Sequence, residues 1–98
     1  MFIHIVTFRW KDDVTSDHVA LIKEALSELP QKISVIRQYR FGADAGVSAG
    51  GNFDFAVVAE FDSENEWRAY DTHPEHTRVR TEVLLPAIRE RAAVQFQA

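Results

Sequence analysis

The strands predicted from this sequence are apolar on both faces, and this feature constrains the fold more than any other. In residues 2–10, one face consists of His4, Val6, Phe8 and Trp10. The other face consists of Ile3, Ile5, Thr7 and Arg9. Residues 53–61 are similar, because Ala56 and Val58 keep the second face partly apolar. Strands covered on both sides have this composition. The first strand is therefore predicted to be central in a sheet.

The remaining signals predict two helical regions and two further strands. After the first strand, we predict a helix from Thr15 or Ser16 to Pro30, a strand at 33–41, a loop at 42–52 and the strand at 53–61. The capping box Ser63-x-x-Glu66 then predicts a short helix, and Pro74 opens another helix that is kinked or restarted at Pro86. A last strand is predicted at 92–96. Hydroxyl caps and prolines set these limits. The order is β-α-β-β-α-β. It predicts an α+β, ferredoxin-like fold with an antiparallel four-stranded sheet and helices on one face.

Such a sheet has one face without helices, yet its strands are apolar on that side as well. A monomer would expose a large apolar surface, which soluble monomers rarely do. We therefore expect a two-fold homodimer that packs sheet on sheet, giving a dimeric α/β barrel. A monomer with an irregular outer face is the alternative. The length of 98 residues predicts one domain, residues 1–98.

Composition excludes several classes of function. The chain has no cysteine, so a thiolate nucleophile and a disulfide framework are excluded. The net charge is -4, and the basic residues near the C-terminus alternate with acidic ones, which argues against a nucleic-acid partner. No apolar run approaches the ~18 residues of a membrane span. The start of the chain lacks the basic region of a signal peptide, so we expect a cytoplasmic protein.

The segment 70–76, YDTHPEH, contains the best candidates for chemistry. His76 could act as a general base near neutral pH, and the phenol of Tyr70 could donate a hydrogen bond to a developing enolate oxygen. His73, directly before Pro74, is predicted to be a helix cap or turn residue. A His73–His76 metal pair lacks a third ligand, so no metal is expected.

Two further polar residues lie on predicted strand faces. His4 stands alone on an apolar face, where a histidine is usually a core residue with its hydrogen bonds satisfied; a place in a pocket wall is the alternative. Arg37 interrupts an apolar face, where it could pair with a carboxylate across a dimer or mark the polar end of a pocket.

The chain resembles the stress-responsive α/β-barrel family, Dabb. The matching residues are His4-Ile5-Val6, Phe8-Arg9-Trp10-Lys11, Gly42 with Asp44, Phe53-Asp54-Phe55-Ala56, Glu60-Phe61, Tyr70, His73-Pro74-x-His76, Pro86 and Val94. They span the whole chain, and the His-Pro-x-His element with its upstream tyrosine is the most specific part. The last strand, Val94-Gln95-Phe96, lacks the acidic residue that members often have there.

The resemblance implies a dimeric α+β barrel, and it implies roles for three residues. Most bacterial members have no assigned activity, whereas a plant member is a polyketide cyclase that needs no metal or organic cofactor. Transferred to this chain, the base of that enzyme falls on His76 and its assisting phenol on Tyr70. His4 falls on the pocket wall.

Three functions remain open at this stage. The first is the binding of a small apolar or aromatic molecule between sheet and helices, by His4, Val6, Phe8, Val57, Tyr70 and His76. The second is a cofactor-independent cyclase, isomerase or oxygenase for a polyketide-like carbonyl substrate, with His76 as base and Tyr70 assisting. The third is a purely structural stress-response dimer. None of the three requires a cofactor.

Overall fold

The order of elements is the one predicted from the sequence. The computed structural model describes residues 1–98. The elements are β1 (Phe2–Trp10), α1 (Ser16–Lys32), β2 (Gln38–Ala43), β3 (Phe55–Phe61), α2 (Glu64–Asp71), α3 (Pro74–Val79), a π-helical turn (Arg80–Leu84) and β4 (Ile88–Gln97). They form an α+β, ferredoxin-like fold. None of the helices is both long enough and apolar enough to cross a membrane.

The four strands form one antiparallel sheet in the order β2-β3-β1-β4. β1 is an inner strand, as its two apolar faces predicted. In the pairing of β1 with β3, Val6 lies opposite Val57. In the pairing of β1 with β4, Phe8 lies opposite Arg91. This register places Arg91 on the same sheet face as Val6, Phe8 and Val57.

The core lies between that sheet face and the helices. Its fully buried residues include Phe55, Ala59 and Phe61 from β3, and Ile22 and Leu26 from α1. One continuous apolar cluster joins the two layers. The helices therefore cover one face of the sheet, and every inward side chain of β3 contributes to the core.

The second sheet face carries no helix, and we call its apolar residues the bare face: Ile3, Ile5, Val58, Val94 and Phe96. The register sets Ile5 between Val58 and Val94, and Ile3 beside Phe96. Val94 is 56% exposed and Phe96 is 45% exposed. The apolar outer side expected from the sequence is thus present as one contiguous patch.

The prediction that Pro30 ends the first helix is wrong. α1 continues to Lys32, with Pro30 inside its last turn. Proline lacks an N–H, so one helical hydrogen bond is missing. The turn still closes because the Ile33 amide donates to the Leu29 carbonyl at 2.9 Å. Leu29 and Ile33 are both buried, and their packing stabilises the extra turn.

The predicted start of the second strand is also wrong. Ile33 is the C-cap of α1, residues 34–37 form a turn, and β2 begins at Gln38. Ile33 and Val35 alternate only by coincidence, since Ile33 packs into the core as the helix cap. Arg37 lies on no strand face: it makes two hydrogen bonds to the Asp62 carboxylate, at 3.1 and 2.7 Å.

Boundaries differ at three other places. Gly42 and Ala43 belong to β2 rather than to the loop, and β3 starts at Phe55 rather than at residue 53. Ser63 is the N-cap of α2, as the capping box predicted. Its hydroxyl donates a hydrogen bond to the Glu66 carboxylate and accepts none from a backbone N–H, which the capping box would require. β4 begins at Ile88, four residues earlier than predicted, because Pro86 lies in the turn that leads into the strand.

Candidate functional site

A cavity of about 340 Å³ lies between the sheet and the helical segments that follow β3. Nine of its fourteen lining residues are hydrophobic, so its wall is mainly apolar with a few polar groups. The lining residues are His4, Val6, Phe8, Leu26, Tyr39, Val57, Tyr70, Asp71, His76, Arg80, Leu84, Leu85, Ile88 and Arg91. The six candidates from the sequence, His4, Val6, Phe8, Val57, Tyr70 and His76, are all among them.

The break between α2 and α3 brings His76 to the cavity. α2 ends at Asp71, and Pro74 occupies the first turn of α3, as the sequence predicted. The chain turns back at this point, so that His76 Nδ1 lies 3.1 Å from the Asp71 carbonyl oxygen. A carbonyl can only accept, so Nδ1 carries the hydrogen and Nε2 keeps its lone pair. The ring centroids of His76 and Tyr70 are 4.2 Å apart.

His76 is uncharged at neutral pH. Burial lowers its pKa below the usual 6.5, and the nearby guanidinium groups of Arg80 and Arg91 lower it further; the Asp71 carbonyl opposes them. A neutral imidazole with a free Nε2 can accept a proton. The same lowering of the pKa makes it a weaker base than a free histidine.

Tyr70 and Tyr39 join their hydroxyl groups at 2.9 Å. Burial raises the pKa of Tyr39 to about 12, and burial together with the neighbouring phenol holds the pKa of Tyr70 well above its usual value of 10.0. Both groups are therefore protonated phenols. Two O–H groups share one mutual hydrogen bond, which leaves one O–H without a protein acceptor. The pair can donate one hydrogen bond to a molecule in the cavity.

His4 is 6% exposed and lines the same cavity. Burial lowers its pKa to about 4, and the charge of Arg91 adds to the effect. It is a core histidine, as expected, but its hydrogen bonds are not satisfied: Nδ1 has no partner in the protein. The Trp67 ring, 5.7 Å away between centroids, also has a buried N–H without a partner.

Two arginines and one aspartate complete the polar wall. Arg80 Nη1 lies 3.4 Å from the Asp71 carboxylate, an ion pair between α2 and the π-helical turn. Arg91 projects from β4 on the helix-covered side of the sheet and forms no ion pair. The cavity wall therefore contains one guanidinium that is matched by a carboxylate and one that is not.

His73 lies outside this cavity wall. Its Nδ1 accepts a hydrogen bond from the Glu75 amide at 3.1 Å, so it is the N-cap of α3, which confirms the predicted capping role. His73 and His76 thus each use Nδ1 in a bond to the backbone. No cluster of three or more metal-ligating side chains is present.

Sequence reasoning missed four polar residues of the cavity: Tyr39, Asp71, Arg80 and Arg91. Arg80 follows His76 by four residues, one helical turn, and that spacing could have indicated a shared face. Tyr39 and Arg91 gave no comparable signal, because strand pairing and not local spacing brings them to the cavity.

The fold and the cavity define the class of this molecule as an α+β, ferredoxin-like protein with a pocket between its sheet and its helices. The chain belongs to the family of the Stress responsive A/B Barrel Domain, Dabb, which it matches over residues 2–98. The resemblance stated from the sequence is confirmed. No curated protein sequence matches the chain.

Solved structures agree with this assignment. A protein of Thermobifida fusca YX, described as dimeric, ferredoxin-like and of unknown function, is 46% identical, with a TM-score of 0.91 over 99% of this chain and 90% of that one. A protein of Bacteroides fragilis NCTC 9343, described in similar terms, is 34% identical, with a TM-score of 0.82 over 99% and 95%. A hydroxynitrile lyase of Passiflora edulis shares the fold at 18% identity, with a TM-score of 0.85 over 97% and 90%.

Proposed function

We propose that this protein binds a small apolar or aromatic molecule in the cavity between its sheet and its helices. The observation that carries the proposal is the cavity itself. Its volume of about 340 Å³ lies within the range of ligand pockets, and its wall is mainly apolar with a few converging polar groups. A purely structural dimer has no need of such a space, so the cavity favours ligand binding over that alternative.

We also propose that the chain forms a homodimer through the bare face. The exposed patch around Ile5, Val94 and Phe96 supports this, because apolar sheet faces are normally covered. The Thermobifida and Bacteroides relatives, described as dimeric, support it as well. The cavity lies on the opposite side of the sheet, so sheet-on-sheet pairing leaves it free.

The binding test uses benzylacetone, a neutral molecule with a phenyl ring and one carbonyl group. A ligand that binds only the folded state raises the stability by RT ln(1 + [L]/Kd), about 2.7 kcal/mol at a concentration of 100 Kd. We expect a rise in Tm with benzylacetone. Leu85, 54% exposed in the cavity wall, allows a variant that fills the entrance: Leu85→Trp should abolish the rise.

The matched control is Leu21→Trp, since Leu21 is 62% exposed on α1 and does not line the cavity. This variant should respond to benzylacetone as the wild type does. No response of the wild type, or an equal response of Leu85→Trp, would contradict binding in the cavity.

A second candidate function is proton abstraction from a polyketide-like carbonyl substrate without a cofactor. The specific observation in its favour is the bond from His76 to the Asp71 carbonyl, which leaves Nε2 free to accept a proton. The C–H bond next to the carbonyl breaks, its proton moves to His76 Nε2, and the electron pair forms an enolate. The spare O–H of the Tyr39–Tyr70 pair can donate to the enolate oxygen.

This candidate is tested by deuterium exchange at the α-carbons of benzylacetone in D₂O, followed by NMR. A true base at His76 predicts exchange above the buffer rate and a loss of ~10²-fold or more in His76→Ala. His18→Ala, at a half-buried position of α1 outside the cavity wall, is the control. If benzylacetone binds but its deuterium exchange is no faster than in buffer, the protein binds ligands but does not abstract protons from simple ketones.

A further inference from the structure

We propose that the ligand of this cavity carries a carboxylate and that Arg91 binds it. This inference rests on the proposed ligand-binding function and adds the charge and orientation of the ligand. The apolar body would lie against Val6, Phe8 and Val57. The carboxylate would lie at the β4 side of the cavity.

The first observation is that Arg91 has no anionic partner. Seven of the eight arginines in the chain form an ion pair with a carboxylate, from Arg9 with Glu90 to Arg89 with Asp12. Arg91 is the exception, and it is also one of only two arginines that line the cavity. Arg91 is exposed to solvent as well, yet it is the one arginine that lines the mainly apolar cavity without a carboxylate partner.

The second observation is the charge of the cavity wall. Asp71 and Arg80 offset each other at 3.4 Å, which leaves the charge of Arg91 unopposed. His4 and His76 add no charge at neutral pH, because burial keeps both imidazoles unprotonated. The wall is therefore positive by one charge in a chain whose net charge is -4. A local excess of this kind favours an anionic ligand.

The third observation is the set of other hydrogen-bond groups in the cavity wall. The Tyr39–Tyr70 pair has one O–H to donate, and Nδ1 of the buried His4 has no hydrogen-bond partner in the protein. A guanidinium holds a carboxylate through two parallel N–H···O bonds, and its planar fork suits that group. One free guanidinium matches the single negative charge of a monocarboxylate, and the apolar wall matches its hydrocarbon body.

The register of β4 keeps Arg91 available in the proposed dimer. Arg91 lies opposite Phe8 on the helix-covered side, whereas Val94 and Phe96 belong to the bare face. A second copy that covers the bare face approaches from the other side of the sheet. Arg91 is thus free to bind a ligand in the assembly as well as in the single chain.

The experiment compares two probes of nearly equal shape, hydrocinnamate and its neutral amide hydrocinnamamide, by calorimetric titration of the full chain. Charge-assisted hydrogen bonds are about twice as strong as neutral ones. We expect the acid to bind about tenfold more tightly than the amide, a difference of about 1.4 kcal/mol. Arg91→Gln should remove this preference by weakening the binding of the acid much more than the binding of the amide.

Arg89→Gln is the matched control, because Arg89 lies two residues away on β4 but pairs with Asp12 outside the cavity. It should keep the preference for the acid. Added sodium chloride should weaken binding of the acid to the wild type and not binding of the amide, which tests the charge without any substitution.

These measurements distinguish a failure of the carboxylate proposal from a failure of the proposed ligand binding. Equal affinity for acid and amide, or equal loss of both in Arg91→Gln, would overturn the carboxylate proposal and leave ligand binding intact. If neither probe bound and benzylacetone also failed, ligand binding in the cavity would itself be refuted, and the role of Arg91 with it.

Discussion

The hydroxyl oxygen of Tyr39 lies 2.9 Å from the hydroxyl oxygen of Tyr70, and this one bond joins β2 to α2 across the cavity wall. Tyr70 is 3% exposed, and its ring packs on both Phe61 and His76. The bond therefore holds the segment that carries His76 against the sheet. Its loss should affect both the stability of the fold and the shape of the cavity.

A double-mutant cycle on this pair should show strong coupling. Tyr39→Phe and Tyr70→Phe each leave one buried hydroxyl without a partner, and each should cost about 1–2 kcal/mol of unfolding free energy. The double variant leaves no unpaired hydroxyl. It should cost about 1 kcal/mol less than the sum of the single changes.

Urea unfolding at one fixed subunit concentration measures this cycle, because dimerisation would make the stability concentration-dependent. Strict additivity of the two changes would mean that the two hydroxyls do not interact in solution.

The stability of the fold should fall as the pH is lowered from about 6.5 towards 4. His4 has its usual pKa of 6.5 in the unfolded chain and a pKa of about 4 in the folded one, so the unfolded state takes up the proton first. The loss from His4 can reach roughly 3 kcal/mol. The pKa of His76 is shifted in the same direction and adds to the loss.

The measurement is the free energy of unfolding at several pH values, for the wild type and for His4→Gln. The variant has no titrating group at this position, so its stability should depend less on pH within that window. His18→Gln is the matched change at a half-buried histidine outside the cavity wall. An unchanged pH dependence in His4→Gln would show that His4 is not the group responsible.

His73 should behave as a helix cap. Its Nδ1 accepts from the Glu75 amide, and the loss of a cap usually costs ~1 kcal/mol. His73→Ala should lower the unfolding free energy by about that amount, whereas His73→Ser should retain most of it, since a serine hydroxyl can cap the same helix. If serine were as destabilising as alanine, His73 would have a role other than capping.

The bare face should hold two chains together. Val58→Asp places a carboxylate beside Ile5 in this patch, and an unpaired charge buried in an interface is strongly unfavourable. We expect the wild type to elute as a dimer in light-scattering chromatography and Val58→Asp to lose the dimer and unfold. Leu21→Asp, at an exposed position of α1, is the control and should stay dimeric.

Two outcomes would count against this interface, and a third would count against its being required for folding. A wild type of 11.2 kDa in solution would be a monomer. A Val58→Asp variant that remained dimeric would place the contact elsewhere. A Val58→Asp variant that was a stable, folded monomer would show that the dimer is not required for folding.

Local signals in the sequence predicted much of the site. The break at His73-Pro74 follows from the fixed backbone angle of proline, and it was correctly placed because such a constraint acts within a few residues. The end of α1 was misplaced for the opposite reason. Pro30 disfavours the helix locally, but burial of Leu29 and Ile33 against the sheet outweighs that preference.

The period of the hydrophobic pattern was sufficient to predict which residues of β1 and β3 share a face. Val6, Phe8 and Val57 were assigned to one wall before any strand pairing was known. It failed at Ile33, whose alternation with Val35 imitates a strand although the residue caps a helix. Alternation over two or three apolar residues does not distinguish a strand from a helix end with a turn.

The sequence by itself determined the order of the elements, the two apolar faces of the inner strands and the turn that carries His76, because each depends on neighbours in the chain. Only the tertiary structure decided that Tyr39 and Arg91 share a wall with His76. The physical reason is strand register. A shift of one residue in the pairing of β1 with β4 would turn Arg91 to the bare face, and the energy that sets this register comes from packing between segments far apart in the chain.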